Sequence, residues 1–350
     1  MLENTKRAVE RYTANIARLN GVTDASKKFS VVPSVQQKVE KRIQESAALL
    51  KRINVQGVTA QEGEKLGLLV GAPIASTTDT KVKDRETVDL TDLDPNRYFC
   101  SQTNFDTHLR YPKLDAWATT PNFQTMVRDA NAQQQALDRI RIGFNGINRV
   151  NTSDRSKNPY LEDVNKGWLQ KYREQAPSRV VADGKAKGKI VIGGAGADYA
   201  NIDALVYEAI NSLIEPWYAD DTGLMVLCGR DTMLDKYFPI VNRDNPPTES
   251  LAASLVISQK RMGNVSAMQV PFMPRGKMLV TMLSNLSIYW EIGGRRRAII
   301  DNPKRDQLEF YESSNEAYVI EDFGAGCLLE NIVFAGAPGA DDPATPGAGQ

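Results

Sequence analysis

Apolar positions near the start of the chain recur at helical spacing. Val9, Tyr12, Ile16 and Leu19 stand three and four apart between Asn4 and Asn20, which predicts one amphipathic helix stopped at Asn20-Gly21. A polar joint, "VTDASKKFS", follows. Pro33-Ser34 then opens a second helix with Val35, Val39, Ile43, Leu50 and Ile53 on one face. The first stripe is narrow, and short helices draw most of their stability from packing, so this helix needs a partner surface.

From Asn54 to Trp117 helical periodicity disappears. Gly57, Gly63, Gly67, Gly71 and Pro73 punctuate short β-prone runs, and "ASTTDTKVKDRETVDLTDLDPN" is almost wholly polar. Such a length without a core signature is unusual inside a compact domain and reads as disorder or as an arm whose apolar residues rest on another molecule. "RYFCSQTNFDTHLRY" alternates like a returning strand. The clearest helix follows, with Pro121 at its start, Phe123, Met126, Val127, Ala130, Leu137, Ile140 and Phe144 as its stripe, and Gly146 as its stop.

Beyond Asn148 the pattern mixes both periods, giving an α+β chain. Lys166 to Gln175 is helical. "KIVIGGAGADYANIDALVYEAI" followed by "LMVLCG" reads as strand, glycine turn, helix, strand. "TMLDKYFPIVN" predicts a helix ending before Pro239, and "LVISQKRMGNVSAMQVPFMP" a strand, turn and strand. From Leu286 to Ile332 β-prone text dominates. Residues 336–350 are low-complexity and predicted to be disordered.

Composition narrows the classes. Lys and Arg total 43 and Asp and Glu total 43, which argues against a dedicated nucleic-acid binder and suits a protein packed beside many copies of itself. Cys100, Cys228 and Cys327 are scattered and odd in number, so no disulfide framework is implied. No apolar run approaches the ~20 residues of a membrane span.

The candidate chemistry is thin. A dinucleotide turn would use Gly194 and Gly196, but Tyr199 stands where close packing wants Gly or Ala, and Asp198 stands where a pyrophosphate would sit. Asp198 reads better as a helix cap and the glycines as a turn ahead of a helix with Leu205, Ala209 and Leu213 as its core face. Arg230-Asp231 could imitate ribose contacts. His108 is the sole histidine and lies in strand-like text, which leaves no triad and no zinc set. Asp220-Asp221 and "DLTDLD" are acidic loops without calcium-loop spacing. Arg295, Arg296 and Arg297, after Gly293-Gly294, form a dense basic run: either a phosphate contact or a glycine hairpin with a solvated basic edge. No cofactor or metal is implied, and assembly is favoured over catalysis.

"SKKFSVVPSV", "TSDRSKNPYLEDVNKGWLQKYREQAP", "LIEPWYADD", "DKYFPIVN", "ISQKRMGN" and "DNPKRDQLEFYESSNEAYVIEDFGAGCLLENI" occur in one order. Together they resemble the major capsid protein of P-two-like temperate tailed phages, from about Arg11 to Ile332. The resemblance implies the Hong Kong 97-type capsid fold. Its parts would be an N-terminal assembly segment over 1–29, an N-arm over 30–55 and an extended β-hairpin loop over 56–111. A peripheral domain with a long spine helix would take 112–150 and 290–322, and an axial domain 151–289 and 323–335.

The same resemblance implies self-assembly through pentamers and hexamers, an internal scaffolding protease, a portal protein and packaged DNA met without sequence specificity. The subunit would be assembled in the host cytoplasm and reside in the virion. It also implies maturation cleavage near Phe29 and Ser30, in a joint that reads as polar and flexible; the competing reading is a permanent helix docked on its own subunit. A nucleotide-dependent enzyme built on Gly194 and Gly196, and a tail or sheath protein, are the readings from other classes.

Overall fold

A computed structural model describes residues 1–68, 75–82, 84, 85, 87, 91–117, 123–241 and 260–335. The low-complexity tail, the Pro121 helix start, parts of the polar arm and the first strand of "LVISQKRMGNVSAMQV" lie outside the described residues.

Helix α1 (Glu3–Leu19) matches its predicted span. It stops where Gly21 takes a left-handed φ of 65°. Ile16 and Ala17 are buried, Val9 and Tyr12 partly so, but Leu19 is 51% exposed and does not belong to the packed face. After the two-residue strand β1 (Phe29–Ser30), helix α2 (Pro33–Glu45) is shorter than its apolar pattern suggested. The Ser46 hydroxyl donates to Ile43 O at 2.7 Å and satisfies a terminal carbonyl, and Leu49, Leu50 and Ile53 bury themselves from the irregular turns beyond.

Strand β15 (Gln307–Ile320), fourteen residues long, organises a seven-stranded sheet. Along one edge run β14 (Arg296–Asn302) and then β13 (Leu286–Glu291), both antiparallel to β15. Along the other edge run β6 (Thr107–Arg110) and β5 (Ser101–Asn104). Strand β1 pairs outside β14, and β2 (Asn54–Val58) lies parallel outside β13. Strands β13 and β14 are therefore two legs of one edge. Trp290 faces Glu316 and Arg296 faces Ser313, so five residues, 291–295, stand against two, 314 and 315. The Gly293-Gly294 stretch is a bulge between collinear strands, not the hairpin expected; the hairpin comes later, where Asp306 adopts φ 51° between β14 and β15. Helix α2 connects β1 to β2 and so crosses this bulge.

Helix α4 (Phe123–Asn145) runs about 35 Å at 1.5 Å per residue and lies on the face of the sheet that α2 covers. Its buried side shares Val127, Ile140 and Phe144 with the predicted stripe and departs from it elsewhere. Met126 and Ala130 are exposed, whereas Val127, Ala132, Gln135, Ala136, Arg139, Ile140, Ile142 and Phe144 are buried. A short helix α3 (Tyr111–Trp117) precedes it, and α5 (Trp168–Gln175) packs at its end. The Trp168 indole donates to Ser287 O at 3.0 Å, and Gly143 is required beneath it, since a Cβ there would come within 2.3 Å of the ring.

A second, six-stranded sheet holds, in order, β10 (Arg261–Met262), β11 (Val265–Gln269), β9 (Leu224–Cys228), β12 (Met278–Met282), β16 (Gly326–Leu329) and β7 (Val180–Val181). Helix α6 (Ile202–Leu213) packs Leu205, Ala209 and the partly buried Leu213 against it, and a short α7 (Pro216–Ala219) follows. Helix α8 (Arg230–Val241) continues through Pro239 instead of stopping before it. Strand β8 (Ile190–Ile192) pairs with β17 (Ile332–Phe334) in a separate ribbon. The chain passes from one sheet to the other between Met282 and Leu286, slightly earlier than the boundary expected at 289–290.

A hairpin, β3 (Glu62–Leu68) with β4 (Thr91–Phe99), stands apart from both sheets. Its base meets the body through Cys100, Ala317 and Val319, flanked by Val58, Tyr98 and Tyr289, with Tyr98 edge-on to Tyr289 at 5.1 Å. Residues 101–110, expected in this loop, pair instead with β15.

Candidate functional site

The bulge between β13 and β14 needs partners for its backbone, and α2 supplies them. The Gln36 side-chain amide donates to Glu291 O at 2.9 Å, and its oxygen accepts from Gly293 N at 2.8 Å. One turn later Glu40 meets two arginines: Arg139 of α4 at 2.7 Å, and Arg295 of the bulge through its other oxygen. Arg139 clasps Glu316 with Nε and Nη2, the latter at 2.6 Å. Arg295 donates to Glu312 at 2.7 Å and to Gln135 at 2.6 Å. Arg297 lies 3.6 Å from Glu312. Arg139, Arg295 and Glu316 are 0% exposed and Glu40 is 3% exposed.

Three acids thus balance three arginines. Burial alone would raise the Glu40 carboxyl, but Arg139 and Arg295 outweigh it and hold the group below the ordinary carboxylate range. The same contest at Glu312 is won by Arg295 and Arg297, which bring it down to about 2. Burial works against the Arg139 cation, yet Glu316 and Glu40 keep it firmly charged. The cluster joins the arm helix, the long helix, the bulge before β14 and the central strand β15 at one point.

This corrects the reading of the basic run. Arg295 is neither a solvated edge nor available to a phosphate; Arg297 is half-buried against Glu312, and Arg296 alone is exposed. Apolar periodicity could not find Gln36, Glu40, Gln135, Arg139, Glu312 and Glu316. The available signal was a charge at a core-facing helix position, with Arg139 between Ala136 and Ile140, and Glu312 and Glu316 sharing a strand face with Phe310 and Tyr318.

The N-terminal joint is also different from its expected form. Phe29 is buried and pairs with Arg297, Ser30 pairs with Arg296, and Ala25 O accepts from Ile299 N at 2.9 Å. Helix α1 rests on Ile299, Leu308, Phe310, Leu114 and Val127, with Tyr12 edge-on to Phe310 at 6.3 Å. The joint is therefore part of the packed body, not a free linker.

The glycine turn carries no βαβ unit, because β8 and β9 lie in different sheets. Gly193, Gly194 and Gly196 all have left-handed φ values. Asp198 is not the helix cap: it accepts from Val191 N and Lys185 N, both at 2.7 Å, and those backbone bonds lower its carboxyl. Asn201 caps α6 by accepting from Ala204 N. Tyr199 is partly buried against the same core. His108 is exposed on β6 opposite Glu309, far in register from any cysteine. Cys100, Cys228 and Cys327 are free and buried, and burial pushes each thiol up to about 12. Asp221 accepts from Gly223 N in a surface turn beside Asp220, and Asp231 lies 3.7 Å from Arg275. Among the described residues no group of three or more His, Cys, Asp or Glu is placed to hold a metal. Among them, too, no helix is long and apolar enough to cross a membrane.

Residues 8–332 match the family described as phage major capsid protein, P2 family. The chain belongs to that family. It is 48% identical over 340 residues to the capsid protein of Escherichia phage P2, covering 95% of each chain. It is 38% identical over 345 residues to the major capsid protein of Serratia phage KSP20, covering 95% of this chain and 98% of the relative. Among solved structures it resembles a chain of the satellite phage P4 procapsid that includes the size determination protein. The TM-score there is 0.78 at 46% identity, over 96% of this chain and 99% of the other. A capsid chain of a native GTA particle shares the fold alone, with a TM-score of 0.50 at 16% identity over 82% and 91%. The α+β architecture is thus the Hong Kong 97-type capsid fold, and the protein is a structural subunit of a phage head shell, not an enzyme.

Proposed function

We propose that this capsid subunit closes an icosahedral shell around double-stranded DNA by holding its body fixed and varying its appendages. One chain sits in pentamers and hexamers, so the angle between neighbouring bodies differs from place to place. The observation that carries this reading is the charge-balanced cluster of Glu40, Glu312 and Glu316 with Arg139, Arg295 and Arg297. Such a cluster contributes geometric definition more than net stability, because removing one member strands a buried charge while replacing the whole set need not. It ties the arm helix to the long helix in one pose. The β3–β4 hairpin, whose base packs at Cys100, Ala317 and Val319, supplies area to a neighbouring subunit without fixing the angle between bodies.

In this reading residues 112–150 with the seven-stranded sheet form the peripheral domain, and the six-stranded sheet with α6 forms the axial domain. Assembly takes place in the host cytoplasm with an internal scaffolding protease and a portal protein, and the inner face meets packaged DNA without sequence preference. Residues 1–29 serve assembly and are then cut away near Phe29 and Ser30.

Co-expression of the chain with its scaffold, followed by negative-stain microscopy, tests the assembly. Closed shells are expected; tubes or small discrete oligomers would reject it. Deleting residues 77–94 should leave a folded subunit that makes no closed shells, and normal shells from that deletion would remove the hairpin's role. The mass of subunits in DNA-filled heads should lack the N-terminal segment; an intact Met1–Gln350 mass would reject the processing.

A further inference from the structure

We infer that the Phe29–Ser30 bond is closed to proteases in the folded subunit, and opens only when α1 and β1 leave the sheet as one unit. The inference deepens the proposed processing and draws its biological meaning from it. Its physical basis is separate. A protease takes its substrate as an extended strand in its own cleft, so the chain on both sides of the bond must be free.

Neither side is free. Upstream, Ala25 O accepts from Ile299 N, and Phe29 is 8% exposed and paired with Arg297. Downstream, the Ser30 hydroxyl donates to Gly293 O at 3.0 Å, Val31 N donates to Arg295 O at 2.9 Å, and Val31 is 1% exposed. One contact ties the two sides together: Asn20, at the end of α1, accepts from Val32 N at 3.2 Å and donates to Ile16 O at 2.9 Å. The joint therefore cannot unzip while α1 keeps its place.

The two sides differ in what holds them. Downstream, Arg295 is locked to Glu40 and Glu312, and Gln36 is bonded across the bulge, so yielding there would expose a buried charge. Upstream, α1 is held mainly by apolar contact, with Ile16, Ala17, Ala25 and Phe29 against Ile299, Leu308 and Phe310, and by hydrogen bonds at its rim, Tyr12 with Arg297 and Leu2 N and Thr5 with Asp115. Opening proceeds from the α1 side, and the chain from α2 onward stays in place after the cut. Displacement of α1 precedes scission, which makes the cut a report that α1 has already been drawn off.

Chymotrypsin, which cuts after aromatic residues, tests this on the full chain, with intact mass following the fragment that begins at Ser30. When the closed state reforms faster than it is cut, the rate follows the open population, so the folded chain should yield this fragment on the order of 100-fold more slowly than a peptide of residues 20–36. Removing the partly buried Tyr12 ring and the buried Ile16 side chain in the double variant Tyr12→Ala/Ile16→Ala should raise the rate on the order of 30-fold. Leu19→Ala, on the exposed side of the same helix, should leave it unchanged. Should circular dichroism show that the double variant has lost its fold, Asn20→Ala carries the same test by removing the tie to Val32, and a faster cut is again expected. Cutting of the native chain at the peptide's rate, or folded variants cut no faster than the native chain, would overturn the gate. That result would leave the processing untouched, since processing is read from the subunit mass in particles; an uncleaved particle subunit would in turn leave the gate standing.

Discussion

The two sheets solve the same burial problem with different chemistry. The six-stranded sheet is filled with hydrocarbon: Leu224, Val226, Leu227, Met278, Leu279, Val280, Leu328 and Leu329 are at most 1% exposed. The seven-stranded sheet sets Glu312 and Glu316 into its covered face and answers them with Arg295 and Arg139. Hydrocarbon is non-directional and tolerates small slips between layers. A paired buried charge does not, because each oxygen needs its donor at one place and angle. The difference teaches that the half carrying the arm and the hairpin is fixed by direction, while the other half is fixed by volume.

The sharpest break of this contrast is Arg139→Ala. It leaves Glu316 without its clasp and Glu40 with one partner, and should cost about 4 kcal/mol in urea unfolding. Replacing the pair together, as Arg139→Met/Glu316→Leu, should cost less than the single change. Equal losses would mean that the charges do not act as a set.

Leu279→Ala opens a void in the hydrocarbon sheet and should cost roughly 3 kcal/mol, with no recovery from any single partner change. Acid separates the halves next. Glu312 is depressed from its ordinary 4.5 to about 2, so its contribution is complete above the ordinary value and is lost as pH falls toward the depressed one. At about pH 3 the subunit should have lost roughly 2 kcal/mol from this group, and Glu312→Gln should flatten that slope. A wild-type stability unchanged between neutral pH and about pH 3 would contradict the assignment. The smallest effect belongs to Arg296→Ala, an exposed neighbour of Arg295, which should stay within about 0.5 kcal/mol of the parent.

Part of the hydrocarbon half was legible in the sequence, because buried strands read as apolar runs: β9 and β16 stand out, as does the core face of α6. The span of α1 and the strand-rich stretch from Leu286 to Ile332 were legible for the same reason. What escaped was whatever depends on pairing. A lone Glu40 or Arg139 looks like a solvated charge until its partner, 99 residues away, is in place. The collinear β13 and β14 look like a hairpin because two glycines sit between them, and only the register against β15 reveals the bulge. Strands β8 and β9 look like one nucleotide-binding unit because sequence order does not say which sheet a strand joins. The Phe29–Ser30 joint looks free because its polar composition hides two buried side chains, Ala25 and Phe29.

The central claim is that charge holds the body in one pose while the hairpin takes up the differences between shell positions. Cryo-microscopy of closed shells from the co-expressed chain tests it most directly, by superposing the copies that occupy different positions. The account predicts that the contacts of Glu40, Arg139, Glu316, Arg295 and Glu312 superpose in every copy, while the β3–β4 hairpin swings from one position to another. Copies in which α2 shifts against α4 while the hairpin keeps a constant angle would contradict it.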